Sequence, residues 1–217
     1  PIDINEFVDG ADQLQGVERA ASFVAIRMKQ AYDLQQNDPS NWWANQLCNV
    51  DNTRAHREFT GREILKQMDG KIDAWVASVG TGGTLLGVAQ TLKEKYPDLR
   101  VTGVVPTDDP RIEWVRSRAI HKALENFGVP KLRFLIEDVL ENNVMDKEIT
   151  VENADAKNMA DRLCREEGLY CGMSSGANVL AAIEMAKTME KGSKIVTLIV
   201  DRRDRYFAEY PNEHYVV

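Results

Sequence analysis

The spacing of apolar residues along the chain predicts helices that alternate with strands. Between residues 17 and 36 the apolar side chains recur at helical spacing, which is typical of a long amphipathic helix. Further helices are predicted over 53–68, 85–95 and 151–167. Short apolar runs predict strands at residues 2–7, 42–46, 72–79, 100–105 and 194–200.

This order of elements predicts an α/β fold. The run from Ala74 to Val79 does not alternate with charged residues, as expected for a strand covered on both faces. Strands separated by helices form parallel sheets with right-handed crossovers. We therefore expect residues 1–217 to form one three-layer domain, with a mainly parallel twisted sheet and helices on both faces.

Three local features are also predicted between the main elements. Residues 106–129 carry an irregular apolar pattern and are predicted to form a loop with one helix. Residues 137–141 are predicted as a short strand. Thr150 is the expected N-cap of the helix that follows, and Gly168 is expected to end that helix.

A glycine-rich turn joins the strand at 72–79 to the next helix. The residues that share this turn are Gly80, Thr81, Gly82, Gly83 and Thr84. Without Cβ atoms, the backbone N–H groups of such a turn can approach an anion closely, and a helix N-terminus adds unpaired donors and the positive end of its dipole. The turn is therefore a candidate phosphate site that needs no lysine.

Two nucleotide-binding classes fit this turn less well. It lacks the Gly-Lys-Ser/Thr sequence with which nucleoside-triphosphate loops reach the outer phosphates, so that class is disfavoured. A dinucleotide fingerprint would place a third glycine where the chain has Leu85, which makes a nucleotide-binding Rossmann domain a weak third hypothesis. An ordinary tight turn into a helix remains the structural alternative.

Two more stretches carry candidate chemistry. In the sequence CGMSSGAN, Ser174 or Ser175 is expected to cap the next helix or to offer a hydroxyl to a ligand. In NQLCNVDN, the amides of Gln46, Asn49 and Asn52 could bind a carboxylate, or could cap turns and the following helix. These residues alone do not decide between the alternatives.

Composition narrows the function classes. The 217 residues carry a net charge of −7 and give a pI near 5.1, which argues against nucleic acid or an anionic membrane as a partner. No apolar stretch approaches the roughly 20 residues that span a bilayer. The three cysteines and three histidines lack metal-ligand spacing, so we expect no metal site. We expect the histidines to be solvated or to cap helices. The cysteines suit a reducing, cytoplasmic location.

Four motifs, in this order, resemble the cysteine synthase and cystathionine β-synthase family of pyridoxal-phosphate enzymes, the fold type II group. The motifs are NQLCNVDNTRAHREFTGREI, VGTGGTLLGV, REEGLYCGMSSGAN and VTLIVDRRDRY. The resemblance implies that pyridoxal 5′-phosphate is the cofactor, that a small amino acid is the substrate, and that the protein is a homodimer. In the family, an activated serine loses its β-substituent and a nucleophile such as sulfide then adds.

The resemblance also implies roles for individual residues. The turn from Gly80 to Thr84 would bind the cofactor phosphate, Ser174 would hydrogen-bond the pyridine nitrogen, and Gln46 would contact the substrate carboxylate. A neutral hydroxyl does not enforce protonation of the pyridine nitrogen as an aspartate would, which suits β-elimination.

The chain departs from the family pattern in three places. The SVKDR-type motif with the Schiff-base lysine and the TSGNTG-like loop are absent, so no catalytic lysine is assigned. We expect the chain to be the C-terminal part of a longer enzyme, inactive alone, with an apolar surface that the missing part covers. The glycine-rich IxGIGxGF segment is replaced by IHKALENFGV, and Leu47 stands where the family often has an aromatic residue.

Two function hypotheses follow. The first is part of a pyridoxal-phosphate β-replacement enzyme that makes cysteine or a related β-substituted alanine. The second is a non-catalytic, phosphate-binding or regulatory homologue of that family. The phosphate turn, Ser174 and Gln46 favour the first, whereas the missing lysine and the altered segment favour the second.

Overall fold

A parallel sheet forms the centre of the protein. The computed structural model describes residues 13–107 and 111–209, and within these ranges the sheet has four strands. All neighbouring strands are parallel, and their spatial order is β3-β2-β1-β4. The strands are β1 (Ala74–Ser78), β2 (Arg100–Pro106), β3 (Lys147–Val151) and β4 (Ile195–Thr197).

Helices connect the strands and cover the sheet. Two short helices, α2 and α3, are joined by a π-helical turn at His56–Thr60, and a 3₁₀ helix at Arg203–Glu209 follows β4. The α-helices are α1 (Gly16–Asn37), α2 (Val50–Ala55), α3 (Gly61–Gln67), α4 (Gly83–Lys95), α5 (Arg111–Arg116), α6 (Ala119–Asn126), α7 (Leu135–Glu141), α8 (Asn153–Glu167) and α9 (Met173–Ala186).

Each face of the sheet has its own apolar core, because successive strand side chains point to opposite faces. On one face, Trp75 and Val101 are fully buried in a large cluster with residues of α1 and of α3 to α7. On the other face, Val76 and Val104 pack with Ala177 of α9 and with Ala156 of α8. The layers are therefore helix, sheet and helix, and the predicted three-layer α/β fold is confirmed.

The strongest sequence patterns are also confirmed as elements. The helix predicted over 17–36 is α1, and the predicted strands at 72–79 and 100–105 are β1 and β2. The strand predicted at 194–200 is confirmed only for its first part, β4. Gly168 ends α8 with a φ of +70°, a left-handed conformation that glycine adopts readily. The strand predicted at residues 2–7 lies outside the described residues.

Two predicted strands are wrong. Residues 42–46 do not pair with a strand: the Trp42 side chain is 78% exposed, and Asn45 adopts a φ of +43°, which breaks an extended segment. Residues 137–141 belong to helix α7. The carboxylate of Glu137 accepts the backbone N–H of Phe134 at 2.6 Å, which satisfies a donor at the start of that helix.

Two further predictions are corrected. Thr150 lies in β3 and does not cap α8, which begins three residues later at Asn153. The loop predicted over 106–129 contains two helices, α5 and α6, separated where Arg118 adopts a φ of +59°. In the described ranges, no helix is both long and apolar enough to cross a bilayer.

Gly176→Ala should destabilise the fold, because its Cβ would lie 2.0 Å from the carbonyl oxygen of Ala156 and 2.8 Å from the amide nitrogen of Ala160. These are backbone atoms of α8, so α8 and α9 would have to separate. We expect a loss of about 3 kcal/mol in the free energy of unfolding, measured by urea denaturation.

Gly168→Ala is the control for this substitution. A Cβ at Gly168 meets no atom within 4 Å, and only the positive φ is unfavourable, so we expect a loss of about 1 kcal/mol. Equal losses in the two variants would contradict the close contact between α8 and α9.

Candidate functional site

The turn from Gly80 to Thr84 follows the carboxyl end of β1 and leads into α4. Gly82 is the N-cap of that helix and has a φ of +90°, which favours glycine. The backbone N–H of Gly83 donates to Thr81 Oγ1 at 3.2 Å, and that of Leu86 donates to the Gly82 carbonyl at 3.0 Å. The first turn of α4 carries no acidic residue, so the positive end of the helix dipole is not offset there.

Missing Cβ atoms let the turn pack closely against its neighbours. A Cβ on Gly82 would lie 3.2 Å from Val139 of α7, and a Cβ on Gly83 would lie 2.3 Å from Asn52 Oδ1. A Cβ on Gly80 would lie 3.1 Å from the Arg111 guanidinium. Packing against these neighbours therefore leaves little space for side chains at the three glycines, and a backbone without Cβ atoms is what close approach to an anion requires.

Asn52 joins this cradle to the segment that contains Gln46. Its Nδ2 donates to the Gln46 carbonyl oxygen at 2.9 Å and to Thr81 Oγ1 at 3.0 Å. Asn49 is the helix cap instead, because its side-chain oxygen accepts the N–H of Asp51 at 3.0 Å. The three amides considered from the sequence therefore have different roles, and Asn52 brings the backbone of Gln46 next to the predicted phosphate turn.

The segment around Gln46 is held by its backbone. Asn45 turns the chain with its left-handed conformation, and the Leu47 carbonyl accepts the N–H of Leu135 in α7 at 2.9 Å.

Burial and the negative charge of Glu137 raise the pKa of the Cys48 thiol to about 12. Cys48 is therefore a protonated thiol at neutral pH.

His56 contacts the other end of the turn. Its Nε2 lies 3.0 Å from Thr84 Oγ1, and its Nδ1 lies 3.0 Å from Thr60 Oγ1. Burial lowers the pKa of this imidazole, which favours the neutral ring. The sequence predicted a solvated or capping histidine here, which is wrong because both ring nitrogens of His56 face threonine hydroxyls, and it did not predict Asn52 as a link. The spacing of four residues between Asn52 and His56 was an available signal, because it places the two side chains on one face of a helix.

The second helix N-terminus lies at the same edge of the sheet. Strands β1 and β4 are parallel, so their carboxyl ends meet at one edge. Beyond β4, the Asp201 carbonyl accepts the N–H of Gly172 at 3.0 Å. The backbones of Arg202 and Cys171 form an isolated antiparallel β-bridge. The start of α9 is thereby held at the edge where the turn after β1 also lies.

The two serines of α9 differ in their surroundings. Ser175 is fully buried, and its hydroxyl accepts the N–H of Val200 at 2.9 Å. Ser174 is partly exposed in the first turn. The predicted capping by Ser174 or Ser175 is wrong, because Gly172 is the N-cap and the helix has no side-chain cap.

The segment IHKALENFGV forms helix α6 and part of the core. Ile120, Ala123 and Leu124 are buried, as expected for an amphipathic helix packed on α1. His121 was expected to be solvated or to cap a helix, but its side chain is only 10% exposed and its Nε2 lies 3.3 Å from Glu137 Oε2. Among the described residues, no group of histidine, cysteine or acidic side chains is arranged to hold a metal ion.

A groove of about 620 Å³ lies between α2, α4 and α7, and its lining includes none of the predicted site residues. Its arginines are partly neutralised, since Arg57 pairs with Glu94 at 2.7 Å and Arg54 pairs with Asp51 at 3.1 Å. The groove therefore presents mixed charge at the surface, and the candidate chemistry lies at the carboxyl edge of the sheet.

Comparison with known proteins identifies relatives of the chain. A family model described as "Pyridoxal-phosphate dependent enzyme" matches residues 14–201. Cysteine synthase B of Campylobacter jejuni is 36% identical over 178 residues, which are 82% of this chain and 57% of that protein. Cysteine synthase of Staphylococcus aureus is 38% identical over 75% of this chain and 51% of its own length. Cystathionine β-synthase of Apis mellifera is 35% identical over 86% of this chain and 36% of its own length.

Solved structures give the same fold. An O-acetylserine-dependent cystathionine β-synthase from Helicobacter pylori matches with a TM-score of 0.70 at 26% identity, over 88% of this chain and 58% of that one. A hydrogen sulfide-producing enzyme from Fusobacterium nucleatum matches with a TM-score of 0.66 at 30% identity, over 82% of this chain and 59% of that one. These neighbours are fold type II enzymes, as the sequence resemblance implied.

The chain spans about half the length of the cysteine synthases that it matches. The family match extends over nearly all of the described residues, and pyridoxal phosphate is the cofactor of that family. The chain therefore belongs to the pyridoxal-phosphate-dependent enzymes, in the group that includes cysteine synthases and cystathionine β-synthases.

Proposed function

We propose that the chain is part of a β-replacement enzyme similar to cysteine synthase, which combines an activated serine with sulfide or a related nucleophile to give cysteine or a β-substituted alanine. One observation carries this proposal: Asn52 links the small-residue turn after β1 to Gln46 through two hydrogen bonds. This link would place a phosphate-binding backbone beside an amide suited to a substrate carboxylate.

The turn from Gly80 to Thr84 would hold the cofactor phosphate. Its fit rests on the close packing at Gly82 and Gly83, on the N-terminus of α4, and on the absence of acidic residues in the first turn of that helix. Bound pyridoxal phosphate supplies an electron sink for negative charge on the amino-acid substrate. The backbone N–H groups and the Thr81 and Thr84 hydroxyls would fix the position of that group.

Ser174 would hydrogen-bond the pyridine nitrogen. Its partial exposure at the start of α9 supports this role, because the neighbouring Ser175 already accepts the Val200 N–H inside the core. A serine hydroxyl can donate to an unprotonated nitrogen and carries no charge, so it would temper electron withdrawal by the ring. That balance suits elimination of a β-substituent.

Gln46 would orient the substrate carboxylate through its side-chain N–H donors. The Gln46 backbone is fixed by Asn52, and the next residue, Leu47, is fixed by Leu135. Only the Gln46 side chain would then need to be ordered when a substrate binds. A backbone that is already fixed lowers the entropic cost of positioning the substrate, because only the side-chain torsions remain to be ordered.

The Schiff-base lysine is proposed to lie outside these 217 residues, because the chain has no SVKDR-type motif and spans about half of the related cysteine synthases. The chain would then be the cofactor phosphate-binding domain of the enzyme and would not turn over substrate alone. We further propose that the protein is a homodimer and that it is cytoplasmic. The three free cysteines support the cytoplasmic location.

A second candidate function is a non-catalytic homologue that binds the cofactor or another phosphate. Helix α6 favours it, because this helix occupies the segment where the family has glycine-rich active-site backbone, and its apolar side chains belong to the core. The two candidates differ in whether cysteine is formed once the proposed missing segment is present.

The purified chain should bind pyridoxal phosphate without forming cysteine from O-acetylserine and sulfide. Intact mass should give a single 24.5 kDa species, and the bound cofactor should keep the absorbance band of the free aldehyde and not the shifted absorbance of a lysine Schiff base. The gene product with the proposed lysine segment should show the shifted absorbance and form cysteine. Failure of the chain to bind pyridoxal phosphate would contradict the proposed function, and the shifted absorbance without cysteine formation would favour the non-catalytic homologue.

Gly83→Ala should weaken pyridoxal phosphate binding, because its Cβ would lie 2.3 Å from Asn52 Oδ1 and would displace the amide that joins Gln46 to Thr81. We expect the Kd, measured by equilibrium dialysis, to increase about tenfold, since hydrogen bonds to the charged phosphate would be lost. Gly168→Ala, remote from the turn, should leave the Kd unchanged. Unaltered binding by the Gly83 variant would argue against this turn as the phosphate site.

A further inference from the structure

The hydroxyl of Thr84 can make two kinds of hydrogen bond at the predicted phosphate turn. It carries one proton and two lone pairs, so it can donate once and accept from other donors. Its Oγ1 lies 3.0 Å from His56 Nε2. Whether Thr84 can donate to a phosphate therefore depends on which of these two atoms carries the proton between them.

The other ring nitrogen of His56 also faces a hydroxyl. Nδ1 lies 3.0 Å from Thr60 Oγ1, and this hydroxyl can act as donor or acceptor. A neutral imidazole holds one N–H, so the ring donates on one side and accepts on the other. Burial favours the neutral ring at this position.

The two neutral tautomers have opposite consequences for Thr84. With the proton on Nδ1, the ring donates to Thr60, and Nε2 accepts the proton of Thr84, which then offers only lone pairs to a neighbouring anion. With the proton on Nε2, the ring donates to Thr84, and the proton of Thr84 is free for the anion. An oxyanion beside Thr84 therefore stabilises the second tautomer.

We propose that His56 is a positioning residue for cofactor binding: it holds its proton on Nε2 and thereby directs the Thr84 hydroxyl proton toward the phosphate. The donors then run in one direction, from the Thr60 hydroxyl to Nδ1, from Nε2 to Thr84 Oγ1, and from Thr84 to the phosphate. Bonds aligned in this way strengthen one another. This inference rests on the proposed function, because it needs a phosphate at the turn.

The fold holds the His56 ring in place. His56 is the first residue of the π-helical turn between α2 and α3, and such turns occur frequently at functional sites. Gly87 lets α2 and α4 approach, because a Cβ there would lie 2.9 Å from His56 Cβ and 2.3 Å from the Thr53 carbonyl. The short distance between the two helices fixes His56 Nε2 over the first turn of α4.

The test compares ligands that differ only in the phosphate. Pyridoxine 5′-phosphate and pyridoxine lack the aldehyde and cannot form lysine adducts, so their Kd values report non-covalent binding. His56→Leu should weaken binding of the phosphorylated ligand about tenfold and leave pyridoxine unaffected. His56→Gln should recover most of the loss, because glutamine keeps an N–H donor on a side chain of similar reach.

A Thr84→Val background shows whether His56 acts through Thr84. Without the hydroxyl, His56→Leu should cause no further loss of affinity, whereas a merely structural role of the ring would weaken binding in both backgrounds. In ¹⁵N spectra of the ligand-bound protein, the ring resonances that disappear in His56→Gln should have the pattern of the Nε2–H tautomer.

The outcomes separate this inference from the proposed function. If the unmodified protein binds pyridoxine 5′-phosphate no better than pyridoxine, the proposed phosphate site is wrong. If it prefers the phosphorylated ligand, then unchanged affinity in His56→Leu, additive losses in the double variant, or an Nδ1–H tautomer in the complex would each overturn the role of His56.

Discussion

Parallel pairing of β1 with β4 determines where the candidate chemistry lies. Because the two strands run in one direction, their carboxyl ends share an edge, and the segments that follow them meet there. The turn at Gly80 to Thr84 leaves β1 at this edge, and the start of α9 is held there by Asp201 after β4. Two helix N-termini are thus brought together by sheet topology, although about 90 residues separate them along the chain.

Close helix contacts then set the positions of individual side chains within this frame. Gly87 allows α2 to approach α4, and Gly61 allows the start of α3 to lie against Thr91. The approach places Asn52 and His56 against opposite ends of the same turn. Gly61 and Gly87 therefore influence the candidate site without lying in it. Larger residues at these positions would move the helices, and with them the Asn52 and His56 side chains that contact the turn.

The spacing of apolar residues predicted α1, α4, β1 and β2, because in these elements most apolar positions of the sequence are also buried or half-buried. Local patterns failed at residues 42–46, where apolar side chains lie in an irregular segment, and at 137–141, where a short apolar run fits a strand or a helix equally well. The glycine turn was predicted because its residues are contiguous in the sequence. Its partners Asn52 and His56 were not predicted. Their spacing of four residues indicates only that they share one helix face, and the contacts themselves join residues 29 and 28 positions apart, which no local pattern encodes.

Cys48 shows what the same packing means for chemical selectivity. This thiol lies two residues from Gln46, in a protein whose relatives include cysteine synthases and for which a sulfur nucleophile is proposed. With a pKa near 12, it is almost entirely uncharged at neutral pH, and a thiol attacks electrophiles only as its anion. Burial and the carboxylate of Glu137 thus make this side chain inert, so that an electrophilic amino acid at the edge of the sheet would meet no competing sulfur from Cys48.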